Sequence, residues 1–470
     1  MATPAKKTSS KVIPIQAVHP HGKVYPRAIS GFFTNWRWAC VWITQLVFYG
    51  LCWLPWDGRQ AVLFDIDASK LYIFDLILWP QDTIYIVLFL ILCALALFLF
   101  TAVAGRIWCG YACPQTVYTE IFLWFEHHIE GDRPARLKLD AAPWSAQKFK
   151  IKATKHLVWI LFSLWTGLTF VGYVVPIREL CADLFSLEIG AWSAFWVLFY
   201  GFATYGNAGF LRDQMCRQIC PYARFQFAML DKDTLIIAYD TERGDPRGTR
   251  AKNVDPRSQG LGDCVDCSIC VQVCPTGIDI RDGLQNECIG CAACIDACDQ
   301  VMDKMGYPHG LIRYSTENAF VTHASKGDIV RRALRPRVLA YLGIFLAITF
   351  AVGWSLAHRI PLKVDIIRDR SSLAREADDG AIENVFHLQI MNTNEQSRTF
   401  AISVTGLEGI RLVAETTEVT VPGGGIGTLT SSVRVEPDVA KAGTHPIEFV
   451  VRDLADEKIQ VREHAKFWLP

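Results

Sequence analysis

Five stretches of about twenty mostly apolar residues recur along the chain, the length that a helix needs to cross a bilayer. They are Trp36–Leu54, Thr83–Ala104, His156–Val175, Ile189–Leu211 and Val338–Ala357. Tryptophan and tyrosine residues such as Trp53 and Tyr200 lie in or beside them, as in the aromatic belts of membrane interfaces. The pattern predicts five transmembrane helices, four of them within a membrane region 36–211 and the fifth at 338–357.

After the fifth stretch the pattern changes to an alternation of apolar and polar residues. The alternation runs through 386–390, 400–404 and 429–435, and a turn signal, Pro422–Gly425, interrupts it. About seven or eight short strands in about 110 residues are typical of an immunoglobulin-like β-sandwich. We therefore predict an all-β domain over 358–470, without an inter-sheet disulfide because this segment contains no cysteine.

The segments that connect the apolar stretches differ in their number of basic residues. The segment 106–155 carries eight Lys and Arg residues, whereas 55–82 carries two and 176–188 carries one. By the positive-inside rule, the N-terminal tail 1–35 and the region 212–337 are predicted to be cytoplasmic and 358–470 periplasmic. The tail has no apolar segment followed by a small-residue cleavage site, so we expect no cleaved signal peptide.

The composition supports a membrane protein and argues against nucleic-acid binding. Hydrophobic residues make up 51% of the chain and charged residues 20%, and the mean hydropathy is +0.20. Lys plus Arg and Asp plus Glu both number 47, so the net charge is zero and the basic excess typical of nucleic-acid binding is missing. The chain also contains sixteen cysteines, and eight of them are clustered between Cys264 and Cys298.

Those eight cysteines form two ferredoxin-type runs. Three thiolates at two-residue intervals hold one cluster, and the fourth, three residues on, ligates the other cluster. The spacing predicts a two-cluster domain at about 255–310, with one [4Fe-4S] cluster on Cys264, Cys267, Cys270 and Cys298 and the other on Cys288, Cys291, Cys294 and Cys274. A pair of zinc sites is the alternative, but zinc knuckles usually pair across a longer loop.

Two further motifs repeat a Cys-x3-Cys-Pro pattern just past an apolar stretch, at 109–114 and at 216–221. We call their four cysteines, Cys109, Cys113, Cys216 and Cys220, the rim thiols. A reducing cytosol argues against disulfides here, which leaves redox-active thiols, a soft-metal site for Cu(I) or buried packing. The prolines favour a bend after the second thiol. For Cys40, Cys52, Cys93 and Cys181, which have no motif, we expect packing.

The whole chain resembles the CcoG family, also called FixG or RdxA. The blocks that carry the resemblance are 23–27, 108–116, 220–226, 243–248 and 277–285. The resemblance implies a multi-pass protein of the bacterial inner membrane with two [4Fe-4S] clusters, which reduces Cu(II) to Cu(I) for assembly of cbb3-type cytochrome c oxidase. The rim thiols are then the candidate catalytic and copper-binding residues, and oxidase subunits or copper-delivery proteins are candidate partners.

Two other functions remain open at this stage. The protein could be a membrane electron-transfer subunit, fed by quinol or flavin, that serves another redox partner. It could also be a non-catalytic assembly factor whose clusters sense redox state. The chain shows no Gly-x-Gly-x-x-Gly dinucleotide motif in a βαβ context, so the electron donor is unknown, and a homo-oligomer is compatible with all three functions.

Overall fold

We describe a computed structural model of the chain, over residues 23–252, 255–322, 327–328, 334–369, 374–377, 380–394 and 396–470. Residues 1–22 of the predicted tail lie outside the described residues. Two compact units divide the fold. Unit 1 comprises Met1–Gln45, Leu97–Gly167 and Val197–Leu339, and unit 2 comprises Leu46–Ala96, Leu168–Trp196 and Ala340–Pro470.

Each of the five apolar stretches contains a long helix. These helices are α1 (Phe32–Leu51), α2 (Thr83–Ala104), α6 (Ala146–Val171), α8 (Ala191–Gly206) and α14 (Pro336–Ala357). Two segments of the described chain, Pro80–Ala104 and Pro336–Ala357, are long and apolar enough to cross a membrane, and a pair bent by 101° at Ile177–Ser186 and Ala191–Leu211 is a third candidate. The helices are confirmed, whereas five membrane crossings stay a prediction.

Shorter helices connect the long ones. They are α3 (Ile107–Tyr111), α4 (Pro114–Glu130), α5 (Arg133–Ala141), α7 (Ile177–Ser186), α9 (Pro221–Met229), α10 (Thr241–Gly244), α11 (Ile269–Gln272), α12 (Ala293–Met305) and α13 (Glu317–Thr322). Helix α8 continues directly into a π-helical turn at Asn207–Leu211, and a second such turn follows at Met215–Ile219. π-Helical turns are rare and occur frequently at functional sites, and the second one carries a rim thiol.

In unit 1 the eight clustered cysteines lie in a small α/β fold. Strand β6 (Ile236–Tyr239) pairs antiparallel with β7 (Ile312–Ser315), and α11 and α12 lie between them in sequence. Met302, Leu311 and Ile312 are 1% exposed and pack with four of the eight cysteines in one apolar core. The pairing of these two strands therefore brings together the two ends of the segment that carries both cysteine runs.

Unit 2 contains two groups of strands. The loop after α1 forms β1 (Pro55–Trp56), β2 (Arg59–Gln60), β3 (Val62–Asp65), β4 (Lys70–Ile73) and β5 (Leu76–Leu78). The C-terminal segment forms β8 (Leu362–Arg368), β9 (Arg375–Glu376), β10 (Ile382–Asn392), β11 (Arg398–Thr405), β12 (Arg411–Val413), β13 (Glu418–Val421), β14 (Ile426–Val435), β15 (Gly443–Asp453) and β16 (Gln460–Leu469).

The C-terminal strands form two antiparallel sheets that enclose one core. One sheet has the order β12-β14-β10-β8 with β9 on β10, and the other has the order β13-β11-β15-β16. Phe386, Phe400, Phe449 and Phe467 are at most 1% exposed, and all four lie in the core that both sheets share. Because successive strand residues face opposite sides, the alternation in the sequence becomes one buried and one outer face.

A buried carboxylate joins the two groups of strands within unit 2. Asp82 is 3% exposed, accepts a hydrogen bond from the backbone N–H of Trp79 and forms ion pairs with Arg359, at 2.6 Å, and Lys363. Asp82→Asn should lower the free energy of unfolding by about 1.5–3 kcal/mol, because it weakens charge-assisted hydrogen bonds. A thermal-unfolding measurement in detergent tests this, with the exposed Glu408→Gln as control; equal melting temperatures for the two variants would contradict it.

Candidate iron–sulfur and rim-thiol site

The eight clustered cysteines line two small neighbouring cavities. Cys264, Cys267, Cys270 and Cys298 line the first cavity. Cys274, Cys288, Cys291 and Cys294 line the second cavity, and Cys270 of the first group lines it as well. The fourth cysteine of each run thus lies with the three cysteines of the other run, the placement that crossed ligation requires.

The electrostatics of the thiols show the same grouping. Burial raises the pKa of Cys298 to about 12, and the charges that add to this effect include those of Cys270 and Cys264. Burial raises the pKa of Cys288 to about 12 as well, with Cys291 and Cys274 adding to it. Burial and mutual repulsion oppose the charged form of these thiols, so a bound cation is needed to keep them as thiolates, and this donor set fits the iron of two cubane clusters.

The four rim thiols come together at the ends of short helices. Cys109 lies in α3, Cys113 directly precedes α4, Cys216 lies in the second π-helical turn and Cys220 directly precedes α9. Pro114 and Pro221 are the first residues of α4 and α9, so each proline begins a new helix. The helical chain is interrupted at the second thiol of each motif, where the backbone is extended, directly before the proline that is expected to favour the bend.

Mutual electrostatic effects place the rim thiols near one another. Burial raises the pKa of Cys216 to about 12, with additional contributions from Cys113, Cys109 and Cys220. The Cys109 thiol donates to Gln226 Oε1 at 3.2 Å, and Gln226 is fully buried. Within the described residues no group of three or more His, Cys, Asp or Glu side chains is placed so that it could hold one metal ion.

Helix α3, which carries Cys109, packs directly on the loop of the second cluster site. A Cβ at Gly110 would lie 2.8 Å from the Gly290 carbonyl oxygen and 3.0 Å from the Cys291 Cα. Gly290 has φ +70°, a conformation that glycine adopts without strain. Cys109 itself packs against the apolar group that contains Cys291. One rim thiol and one cluster thiol therefore share a packed interface within unit 1.

Two arginines fix this interface from both Cys-x3-Cys-Pro motifs. Arg106, which precedes Cys109, donates to the Asn286 side chain at 3.0 Å and to the Ala223 carbonyl at 2.6 Å. Arg217, which follows Cys216, donates to the Thr276 carbonyl oxygen. Each motif is thus bound to a chain segment next to a ligand of the second cluster.

The close approach at Gly110 makes a specific prediction. Gly110→Ala should slow electron transfer from the second cluster to a metal at the rim, because the new methyl group forces α3 away from the Gly290 loop. Rapid-mixing absorption measurements on reduced protein with added Cu(II) test this. Gly343→Ala is the matched control, since a Cβ there meets nothing within 4 Å; equal rates in the two variants would contradict the prediction.

The four cysteines without a motif differ in their environment. Cys52 is 1% exposed, and Cys40 and Cys181 are half-buried, in line with packing. Cys93 is exposed on the surface of α2. The expectation of packing inside the chain is therefore wrong for Cys93, because α2 buries only a small part of its apolar surface in the chain.

The charged network around Glu126 has no motif in the sequence that would reveal it. Glu126 is fully buried in α4, with Arg212 at 2.8 Å, Arg136 at 3.5 Å and Lys155 at 3.6 Å. Burial alone would raise the pKa of Glu126, but these three cations hold it below its usual value. A glutamate on the apolar side of a helix indicates a buried ion pair, because an unpaired charge is rarely buried.

Fold and site together define a class of protein: an iron–sulfur redox protein with apolar helices and an immunoglobulin-like domain. Three family models match it. A "4Fe-4S dicluster domain" matches residues 211–317, a "4Fe-4S binding domain" matches 86–131, and the "IG-like fold at C-terminal of FixG" matches 352–470.

Similar proteins identify the family. The chain is 35% identical over 416 residues to "Nitrogen fixation protein FixG" of Rhizobium meliloti, covering 82% of this chain and 79% of that one. It is 37% identical to "Protein RdxB" of Cereibacter sphaeroides, covering 92% and 91% of the two chains, and 38% identical to "Protein RdxA" of the same organism, covering 83% and 84%. The chain therefore belongs to the FixG/RdxA family, which confirms the resemblance seen in the sequence.

A solved structure titled "FixG-related protein from Vibrio parahaemolyticus" is also similar. It is 24% identical, covers 23% of this chain and 96% of that one, and has a TM-score of 0.21. The family matches confirm iron–sulfur cofactors of the [4Fe-4S] type and an Ig-like C-terminal domain.

Proposed function

We propose that this protein is a membrane iron–sulfur oxidoreductase that reduces Cu(II) to Cu(I) at the rim thiols, for assembly of cbb3-type cytochrome c oxidase. The proposal includes five membrane crossings, a cytoplasmic N-terminus and cluster region, and a periplasmic Ig-like domain. The single observation that carries it is the packing of α3 on the second cluster site, because it puts Cys109 next to Cys291.

The chemistry of the rim thiols favours copper as the electron acceptor. Thiolates select Cu(I), whereas carboxylate and water ligands suit harder cations. Stabilising Cu(I) relative to Cu(II) makes bound Cu(II) easier to reduce, and the two clusters supply one-electron reduction when they are bound. Each Cu(II) accepts one electron, so two reduced clusters would deliver two Cu(I).

The surrounding residues perform the remaining tasks. Gln226 accepts the hydrogen bond of the Cys109 thiol and holds its orientation. Arg106 contributes positive charge that lowers the pKa of Cys109 and Cys216, against the larger effect of burial. A cation near both thiols favours the thiolate that a metal ligand must become. Oxidase subunits and copper-delivery proteins are the partners to which the product would pass.

Anaerobic titration tests this function. Protein purified without oxygen is assayed for iron, sulfide and copper, reduced with dithionite, freed of excess reductant and titrated with Cu(II). We expect about one Cu(I) for each electron held on the clusters, with matching loss of the reduced-cluster spectrum. Cys109→Ala and Cys216→Ala should lower the reduction rate strongly while the clusters remain, and Cys93→Ala serves as control. An undiminished rate in both rim variants would refute the rim-thiol assignment.

A further inference from the structure

The described residues of unit 1 enclose a cavity that the copper site does not use. Its volume is about 480 Å³, within the range of about 300–1,000 Å³ that is typical of small-molecule sites. The lining residues come from five separate segments of the chain, within 23–26, 119–126, 152–159 and 209–214 and at Pro275.

Aromatic rings form one wall of this cavity. Phe210 and the His156 ring are stacked at 15°, with their centroids 6.1 Å apart, and Trp159 meets His156 edge-on at 5.3 Å. A Cβ at Gly209 would lie 3.2 Å from the Trp159 ring, so the glycine allows the chain to approach the indole closely. Flat aromatic faces favour a planar ring as ligand.

One polar group on the wall is available to a ligand. His156 Nδ1 lies 2.9 Å from the Tyr205 hydroxyl, which leaves Nε2 as the nitrogen for a ligand. Trp159 is 2% exposed, and its indole N–H has no hydrogen-bond partner within the described part of the chain. Because this N–H is out of reach of solvent, Trp159 contributes its ring rather than a hydrogen bond to the cavity wall.

The charged residues argue against an anion as this ligand. Arg212 is paired with Glu126 at 2.8 Å, and Lys152 and Lys155 are paired with Glu130 at 2.8 and 3.0 Å. An anion would have to break these buried pairs, and removing a partner from a buried ion pair is costly. A neutral ring with hydroxyl groups can bind while the pairs stay intact.

The cavity lining includes an exposed apolar residue and close neighbours of the cysteine ligands. Phe210 is 61% exposed although it lines the cavity, and Leu157 of α6 and Phe202 of α8 are 57% and 75% exposed. Pro275, which directly follows the cluster ligand Cys274, lines the cavity too, as does Gln214, which precedes Cys216 by two residues. A ligand in this cavity therefore lies beside a ligand of the second cluster.

From these observations we propose that the cavity binds a membrane hydroquinone, the electron donor of the proposed copper reduction. The inference rests on that proposed function and adds its substrate. Oxidation breaks the two O–H bonds of the hydroquinone and yields the quinone, two electrons and two protons. One electron reduces each of the two oxidised clusters. The first proton goes to His156 Nε2 and the second to water beside Lys23, whose side chain is 45% exposed.

The test uses the full-length protein in vesicles of phosphatidylethanolamine and phosphatidylglycerol, with decylubiquinol as the donor. Reduction of the clusters is followed by absorbance under anaerobic conditions, and dithionite-driven Cu(II) reduction is measured on the same samples. We expect decylubiquinol to reduce the wild-type clusters. His156→Gln, which removes the proton acceptor, and Leu123→Trp, which fills the cavity, should lower the ratio of quinol-driven to dithionite-driven rates at least about tenfold.

His127→Gln is the matched control, since His127 is an exposed histidine on α4 that does not line this cavity. Ratios equal to this control in both cavity variants would refute the site. Wild-type clusters that decylubiquinol leaves oxidised, while a reduced flavin or dithionite reduces them, would refute hydroquinone as the donor. Quinol-driven cluster reduction without Cu(II) reduction would instead refute the proposed function and leave this site supported.

Discussion

Cys274→Ala is expected to remove the second cluster, although Cys274 belongs to the first cysteine run. Its thiol lines the cavity of Cys288, Cys291 and Cys294. Since each [4Fe-4S] cluster holds about four irons, the iron content should fall from about eight to about four per chain. Cu(II) reduction by the chemically reduced protein should be lost, because α3 packs on the loop of the second cluster.

Cys298→Ala is the complementary variant, and it separates crossed ligation from ligation within each run. It should remove the first cluster with the same loss of iron, but it should retain Cu(II) reduction through the second cluster. Iron and sulfide analysis, EPR spectra of the reduced protein and Cu(II) titration provide the measurements. If Cys298→Ala loses Cu(II) reduction and Cys274→Ala keeps it, the assignment of the two ligand sets is reversed.

Local patterns in the sequence predict much of this fold. The apolar stretch Thr83–Ala104 coincides with α2, and the alternation in 386–390 becomes one buried and one outer face of β10. Cysteine spacing also groups the cluster thiols, because ligation of a cubane imposes a short-range pattern on the chain. These features are set by residues close in sequence, so one sequence is sufficient to find them.

Long-range packing is the part that the sequence does not reveal. Nothing near Gly110 indicates that it meets Gly290, which is 180 residues away. Helix ends also depend on their neighbours. The stretch predicted to end at Val175 leaves the helix after Val171, and Gly172 there packs against Ile177. The sequence predicts the four rim thiols at the same membrane edge, and the tertiary fold adds that the charges of Cys109, Cys113 and Cys220 act on Cys216.

The charged network around Glu126 links these long-range contacts. Three cations from α5, α6 and the segment after α8 converge on one carboxylate of α4. Helix α4 begins directly after Cys113, and Arg212 lies four residues before Cys216, so this network joins the flanks of both Cys-x3-Cys-Pro motifs. Glu126, Lys155 and Arg212 also line the 480 Å³ cavity.

Glu126→Gln is expected to destabilise unit 1 by about 3–5 kcal/mol, because it leaves buried cations without their counter-ion. The side chain is almost the same size, so lost volume cannot explain the effect. Thermal unfolding in detergent, followed by the release of cluster absorbance, measures it. Glu317→Gln is the control, since Glu317 is 60% exposed and its pair with Lys232 is 3.7 Å long; exposed pairs contribute about 0–1 kcal/mol.

The effect of Glu126→Gln on the melting temperature should depend on pH. The pKa of Glu126 is held below its usual value in the folded protein, so its ionised form stabilises the fold at neutral pH. That stabilisation is fully present above the ordinary carboxyl pKa and is lost as the pH falls from there through the lower, folded-state pKa. The melting temperatures of wild type and Glu126→Gln should therefore converge on acidification. If the two melting temperatures still differ by the same amount below the folded-state pKa of Glu126, the carboxylate stabilises the fold by its geometry rather than by its charge.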